Sequence, residues 1–399
     1  MSSFEVKVRK ITIEPHPDAD LIEIGKVDDY QVVVGKDQFK TGDLVVYIPE
    51  AAIVPIWLIE HMGLVGRLAG SNHNRVKAIK LRQILSQGLC LPVNKNIAAR
   101  GIGNDFNIVR PITQCGGDIL NVVEGDDVAE FLGIYKWEPP IPVHMAGEVC
   151  NLYGKTLSYD IENIKKYPNV LVDGEEVEFT EKLHGTWACF GQYPNYHHPE
   201  LFEGNTIVTS KGLSGQGLAF KFNDANANNL YVKAFYENFV DGWDEAPLLA
   251  VIRELLVRYK FISAEDKDRL PFYILCEVFG SGVQDLIYGL KKPEIRVFDI
   301  YIGFPGTGYY LDPADRDLIA STVYLKSVPV LYTGPFNKEV LMEYTNGTET
   351  ISGKNTHMRE GVVITPLEGR RDPFIGRVKL KSVSAAYLLR KNKNATEFQ

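Results

Sequence analysis

The chain has 399 residues, a length that suits two or three domains. Its apolar content of 45% and charged content of 24% are those of a globular protein with sizeable cores. The net charge of −8 excludes an all-over basic coat, while a local cationic groove for phosphates stays compatible with it.

The first 50 residues read as short strands. FEVKVRKITIEP (4–15) alternates, and YQVVVGKDQFKTGDLVVYIPE (30–50) holds two β runs around the turn KTGD. NRVKAIKLRQILSQGLCLPV (74–93) adds a strand pair with SQG as its turn. Strands this short and close suggest a small β-barrel. EGDDVAEFLGI (124–134) reads as a short helix with acids at its start. YKWEPPIPVHMAGEV then crowds three prolines into 15 residues, so residues 137–158 are expected to be a linker between an N-terminal module (1–136) and a second domain (159–399).

Beyond it, ANNLYVKAFYENF and APLLAVIRELLVRYKF carry helical periodicity. PFYILCEVFG (271–280) and EIRVFDIYIG (294–303) are strands of the buried type, and GVVITP and GRVKLKS form a late strand pair. The fold class is α+β with mostly antiparallel strands. VSAAYLLRK is a short helix before a polar end.

The five cysteines, Cys90, Cys115, Cys150, Cys189 and Cys276, are odd in number and form no CxxC, so they read as reduced thiols. His197-His198 reads as a loop rather than a metal cluster. No apolar run has the roughly 18–20 residues of a membrane span, and MSSFEVKVRK lacks a signal peptide's apolar stretch. The expectation is a cytoplasmic protein with no membrane partner.

Chemistry concentrates around FTEKLHGTWACFG (179–191). Lys182 follows a β-prone acidic segment and precedes Gly185 by three residues, with His184 between them. A lysine nucleophile must lose a proton it ordinarily holds up to pH ~10.4, and lowering that value by about three units takes about 4 kcal/mol. Nearby cations supply such a push. Lys379 and Lys381 alternate in RVKLKS, so both point to one face of a strand, where they repel each other unless an anion such as a nucleoside triphosphate lies against them. Glu277 sits inside an apolar strand and Glu360 directly before another, both costly places for a carboxylate that faces no cleft or cation. They suit the water-mediated holding of Mg2+ or Mn2+. Phe298 can stack on a purine, and Gly185 can let the backbone approach a nucleotide.

In order along the chain, EKLHGT, TSKG (209–212), CEVFG, VFDI, EGVVI and VKLKS resemble motifs I, Ia, III, IIIa, IV and V of the covalent nucleotidyltransferases, the superfamily of ATP-dependent ligases and mRNA capping enzymes. YDIENIKKYPNV (159–170) is similar to the segment before motif I in ATP-dependent RNA ligases. The resemblance implies that Lys182 attacks the α-phosphate of ATP and takes AMP through a P–N bond. AMP then passes to a 5′-phosphate, and a 3′-hydroxyl displaces it. Lys379 and Lys381 would contact the α-phosphate, Glu277 and Glu360 the metal waters, and Glu277 alternatively the ribose. Glu181 would frame the adenine through its backbone, and Lys211 would reach the ribose or the substrate phosphate. Many relatives carry Asp where this chain has His184, which puts metal contact there in doubt. Motif Ia often has Arg where this chain has Lys211, which loses the bidentate fork.

HPDADLIEI, FKTGDLVVYIPE and LRQILSQGLCLP resemble the OB modules of the tRNA-binding type. Only 18 residues follow Lys381, too few for the C-terminal barrel of DNA ligases and capping enzymes. An N-terminal OB module followed by a nucleotidyltransferase domain, ATP-grasp-like and built of antiparallel sheets and helices, matches the fifth family of RNA ligases. That family implies ATP, Mg2+ or Mn2+, and a nicked duplex with an RNA 3′-hydroxyl; the chain itself is expected to act as a monomer. Lys77, Lys80 and Arg82 are the barrel's candidate nucleic-acid contacts, joined by Lys211. The alternatives are a capping-type guanylyltransferase and a non-catalytic RNA-binding protein.

Overall fold

The computed structural model describes residues 4–95, 106–110, 118–138, 140–242 and 247–390. Cys115 and the polar end after Arg390 lie outside the described residues. The chain divides into two compact units, one of residues 2–138 with 165–168, the other of residues 139–164 with 169–399.

In the N-terminal unit, Lys7–Lys10, Leu44–Ile48 and Leu89–Pro92 form one antiparallel sheet. Thr12–Pro15, Ile22–Val27 and Tyr30–Gly35 form another. Val45 and Tyr47 of the first sheet share a core with Val27 and Val32 of the second. This is the OB-like architecture expected. Residues 74–93 hold three strands rather than two, because Ile79–Leu81 and Ile84–Ser86 pair through a turn at Arg82 and Gln83. Both turn residues have positive φ, 44° and 70°. Hairpin turns of that hand favour Gly or Asn, so Arg-Gln carries no turn signal. The helix expected in 124–134 is present as Ala129–Leu132.

The second unit is built on two five-stranded sheets. One runs, in spatial order, Glu162–Asn163, Leu380–Val383, Gly361–Pro366, Glu176–Lys182, Val330–Pro335. All its pairings are antiparallel except that of Glu162–Asn163 with Leu380–Val383. Val177, Phe179, Val362, Ile364 and Leu380 alternate onto one face, packed with Leu341 of the helix Lys338–Thr345. The period of two sends Thr180, Lys182, Val363 and Lys381 to the other face. The second sheet runs Thr206–Ser210, Gly185–Gln192, Phe272–Gly280, Pro293–Ile302, Tyr309–Tyr310, all antiparallel. Ala188, Phe190, Ile274, Cys276 and Val278 face a helical layer that includes Leu230–Phe235, Leu248–Arg258 and Pro313–Thr322. Trp187, Cys189, Tyr273 and Leu275 take the opposite face.

The span expected to be linker is partly structural. Val149–Asn151 pairs with Leu218–Phe220, and Cys150, Leu152 and Leu157 are buried in the second unit. The prolines therefore mark a shorter connection than 137–158. Among the described residues, no helix is long and apolar enough to cross a membrane, and Cys90, Cys150, Cys189 and Cys276 are buried free thiols.

Candidate active site

Lys182 ends one sheet and Gly185 begins the other, so the KLHG turn carries the chain across the cleft between them. Lys182, Thr180, Val363, Lys379 and Lys381 from the first side meet Trp187, Glu277 and Phe298 from the second around one cavity. Tyr159, Asp160 and Ile161 from the preceding segment, Lys211 and Val328 complete its wall.

The register explains the central contact. Lys182 pairs with Gly361, which puts Glu360 beside it, and the two side chains form an ion pair. The amine must leave that pair before its lone pair can attack. The immediate neighbour of Lys182 is thus a carboxylate, while Lys379 and Lys381 line the same cavity. Glu360 is buried, which works to raise its pKa, yet the charges of Lys182 and His184 hold it down at about 2. Glu277 has the opposite balance. Burial and then Glu360 push its carboxyl up to about 8, against the pull of Lys182.

Lys379 and Lys381 do share a face, but the anion against Lys379 is the protein's own. Its Nζ lies 2.8 Å from Asp299 Oδ2 and donates to the Phe298 carbonyl at 3.1 Å. Burial lowers the Lys379 pKa to about 8 despite Asp299. Arg377 grips Asp299 with two bonds of 2.9 Å, and the Tyr159 hydroxyl donates to it at 2.8 Å. Asp299 is buried, and Arg377 and Lys379 overcome that burial to hold its carboxyl far below the usual range. A β-bulge makes this possible. Leu275 pairs with Asp299 and Cys276 with Val297, so Phe298 is the extra residue. The bulge lets Phe298 and Asp299, adjacent in sequence, both serve the cavity side. No sequence reasoning above singled out Asp299, although VFDI contains it.

Four further placements refine the sequence reading. The Glu181 side chain accepts the Thr350 N–H at 3.0 Å, and Glu181 is among the residues that line the cavity. Gly185 does not line the cavity. A Cβ there would stand 2.2 Å from the Val278 carbonyl oxygen, so the glycine serves strand pairing rather than nucleotide approach. His184 does not line it either. Its ring is buried behind Glu360, with Nε2 2.6 Å from Asp285. Lys211, at the start of a helical turn, lies 3.2 Å from Asp160 and reaches the cavity wall.

Tyr159, Asp160 and Trp187 belong to the site without having been named from sequence. The YDIEN segment carried the signal for the first two. Trp187 lies in register beside Glu277, and its indole N–H is buried without an acceptor among the described residues. In the N-terminal unit, Lys80 and Arg82 are exposed on the hairpin, while Lys77 is half-buried before it. His197-His198 lies outside any helix or strand, and His198 stands with Cys150 and Glu200, their ligand-type atoms within 4.8 Å of one another. Lys221 pairs with Glu200 at 2.7 Å, which gives that carboxylate a cation already.

Comparison with known proteins gives a consistent answer. An OB-fold domain model matches residues 5–93. No curated protein matches the sequence. Among solved structures, a Naegleria gruberi RNA ligase variant without ligand aligns at TM-score 0.67 and 22% identity, covering 97% of this chain and 98% of that one. The same enzyme with PPi aligns at 0.66 and 22% over the same shares. A lysine-to-methionine variant with AMP and Mn aligns at 0.66 and 21%, again over 97% and 98%. At such identities the likeness speaks for the fold. The RNA ligase family model matches residues 175–383, just over half of the chain and the whole stretch from before Lys182 to beyond Lys381, and the chain belongs to the RNA ligase family.

Proposed function

We propose that this RNA ligase is ATP-dependent, works through AMP bound covalently to Lys182, and seals nicks that end in an RNA 3′-hydroxyl. The observation that carries the reading is the convergence of Lys182, Lys211, Lys379 and Lys381 on a cavity that also holds Phe298 and Trp187. Four cations suit a polyphosphate and the rings suit a base. The Naegleria structures contain ATP and Mn, AMP and Mn, or PPi, which supports the same chemistry here.

In the first step Lys182 Nζ, having given up its proton, attacks the α-phosphorus. The P–N bond forms as the P–O bond to pyrophosphate breaks. Lys381, and Lys379 once drawn from Asp299, neutralise charge on the α-phosphate oxygens. In the second step an oxygen of a nucleic-acid 5′-phosphate attacks the same phosphorus and Lys182 departs. In the third, a 3′-hydroxyl attacks the activated 5′-phosphate and AMP leaves. The residues present fit a hard dication: Glu360 and Glu277 offer oxygen donors, and a carboxyl held protonated by burial and a like charge is one that added positive charge would ionise. Mg2+ or Mn2+ held there would supply electrostatic stabilisation of phosphate charge. Without it, the protonated Glu277 suits a ribose hydroxyl.

Lys80 and Arg82 in the OB-like unit would contact the nicked duplex, supported by their exposure on one hairpin. A monomer in the cytoplasm completes the proposal, supported by the free, buried cysteines. Sealing assays test it, on nicked duplexes with RNA or DNA on each side of the break and on single strands. The reading expects product from nicks with an RNA 3′-hydroxyl and ATP. Product only from single strands, or only with GTP, contradicts it.

A further inference from the structure

His184 stands where many relatives of the superfamily have a carboxylate, and here it is the centre of a buried network. Asp285 Oδ1 lies 2.6 Å from Nε2, and because a carboxylate only accepts, Nε2 carries hydrogen. The Tyr387 hydroxyl lies 2.8 Å from Nδ1. The backbone N–H of His184 donates to the Tyr288 hydroxyl at 2.6 Å. Tyr387 belongs to the short helix Ala385–Leu388, capped by the Ser384 hydroxyl, which accepts the Tyr387 N–H at 3.2 Å. Arg390 locks this corner. Its guanidinium lies 3.6 Å over the Tyr387 ring, donates to the Tyr387 carbonyl at 2.9 Å, and reaches Asp285 Oδ2 at 3.3 Å.

The geometry matters because a second acceptor waits nearby. Glu360 Oε2 is 3.8 Å from His184 Nδ1, while its other oxygen holds Lys182. A shift of about one ångström would exchange the Tyr387 contact for Glu360. His184 would then compete with Lys182 for the carboxylate that organises the nucleophile. A misplacement of that size near reacting groups costs up to about a hundredfold in rate.

We propose that Tyr387 and Asp285 are positioning residues for nucleotidyl transfer: from the C-terminal helix and from the loop after Gly280, they clamp both nitrogens of His184 and leave Glu360 to Lys182. The inference rests on the ligase reading above and extends the active site to residues 384–390, beyond the last nucleotidyltransferase motif. Tyr387→Phe removes only the hydroxyl from one side of the clamp. Asp285→Ala removes the acceptor on the other.

The test is the single-turnover rate of self-adenylylation with labelled ATP over a range of ATP concentrations. Tyr387→Phe is expected to lower the maximal rate about ten- to a hundredfold, as loss of a partner that orients an active-site histidine does. The half-saturating ATP concentration should stay within about twofold, with the thermal melt unchanged. Because Tyr387 acts through His184, the double variant Tyr387→Phe/His184→Ala should be no slower than His184→Ala alone. A Tyr387→Phe rate equal to wild type, a double variant slowed by the product of the single losses, or a His184→Ala variant at full rate would each overturn the proposal. If the wild-type chain takes no label from ATP, it is the ligase reading that fails. The imidazole 15N signals of His184 then decide the clamp alone: a shifted Nδ1 signal in Tyr387→Phe upholds it, and identical signals in both proteins sink it.

Discussion

Glu277 is half-buried on the cavity wall and Glu360 is buried beside Lys182, yet they hold protons oppositely. Glu360 has Lys182 and His184 within ion-pair reach and stays ionised. Glu277 has burial and the charge of Glu360 against it, and titrates near 8. Its folded-state value lies above its ordinary 4.5, so the fold favours the protonated form. That contribution to stability is complete below about 4.5 and is lost as pH rises through about 8. Glu277→Gln keeps the neutral shape at every pH. The nucleotide-free variant should therefore melt several degrees above wild type at pH 9, with the gap closing towards pH 5. Equal melting temperatures at pH 9 would contradict this account of Glu277. Both glutamates were legible in the sequence as carboxylates in apolar surroundings. Which would be ionised was not, because that depends on neighbours about 80 and 180 residues away along the chain.

Among the elements, the two facing sheets do most to place the chemistry. Lys182 and Gly185 are three residues apart and belong to different sheets, so the turn between them sets how the nucleophile meets the opposite wall. Gly185 is packed against the Phe272–Gly280 strand, where a Cβ would meet the Val278 carbonyl at 2.2 Å and the Phe279 Cβ at 2.8 Å. Backbone oxygen cannot step aside as a flexible side chain can. Gly185→Ala should cost roughly 1–3 kcal/mol of stability, the usual range for overpacking, and reduce ATP labelling by shifting the start of the strand that carries Trp187. Unchanged melting and labelling would show that the strand pair tolerates the methyl group. Long strands such as 272–280 and 293–302 were readable from their apolar runs. The bulge at Phe298 was not, since nothing local distinguishes a residue paired across the sheet from one left over. The same applies to the Arg82-Gln83 turn, whose residues are uncommon at positive φ.

At the scale of the whole molecule, the order of domains was readable from the proline-rich stretch and the change from short strands to longer helices. The boundary was less so. Cys150, Leu152 and Leu157 look like linker only until their partners, over 60 residues later, are known to be a strand. Of the candidate site residues, Lys182, Lys211, Glu277, Phe298, Lys379 and Lys381 line one cavity. What escaped was the supporting layer: Asp299 beneath Lys379, and Asp285 with Tyr387 around His184. Such residues act through others and need no motif spacing, so only three-dimensional contact exposes them. The central claim is that one amine, Lys182 Nζ, becomes bonded to adenosine phosphate. It is tested most directly by incubating the full chain with ATP and Mn2+ and mapping the modified peptide by mass spectrometry. The account predicts a single AMP adduct, on Lys182, absent from Lys182→Ala. An adduct on any other residue, or an undiminished adduct on the Lys182→Ala chain, would contradict it.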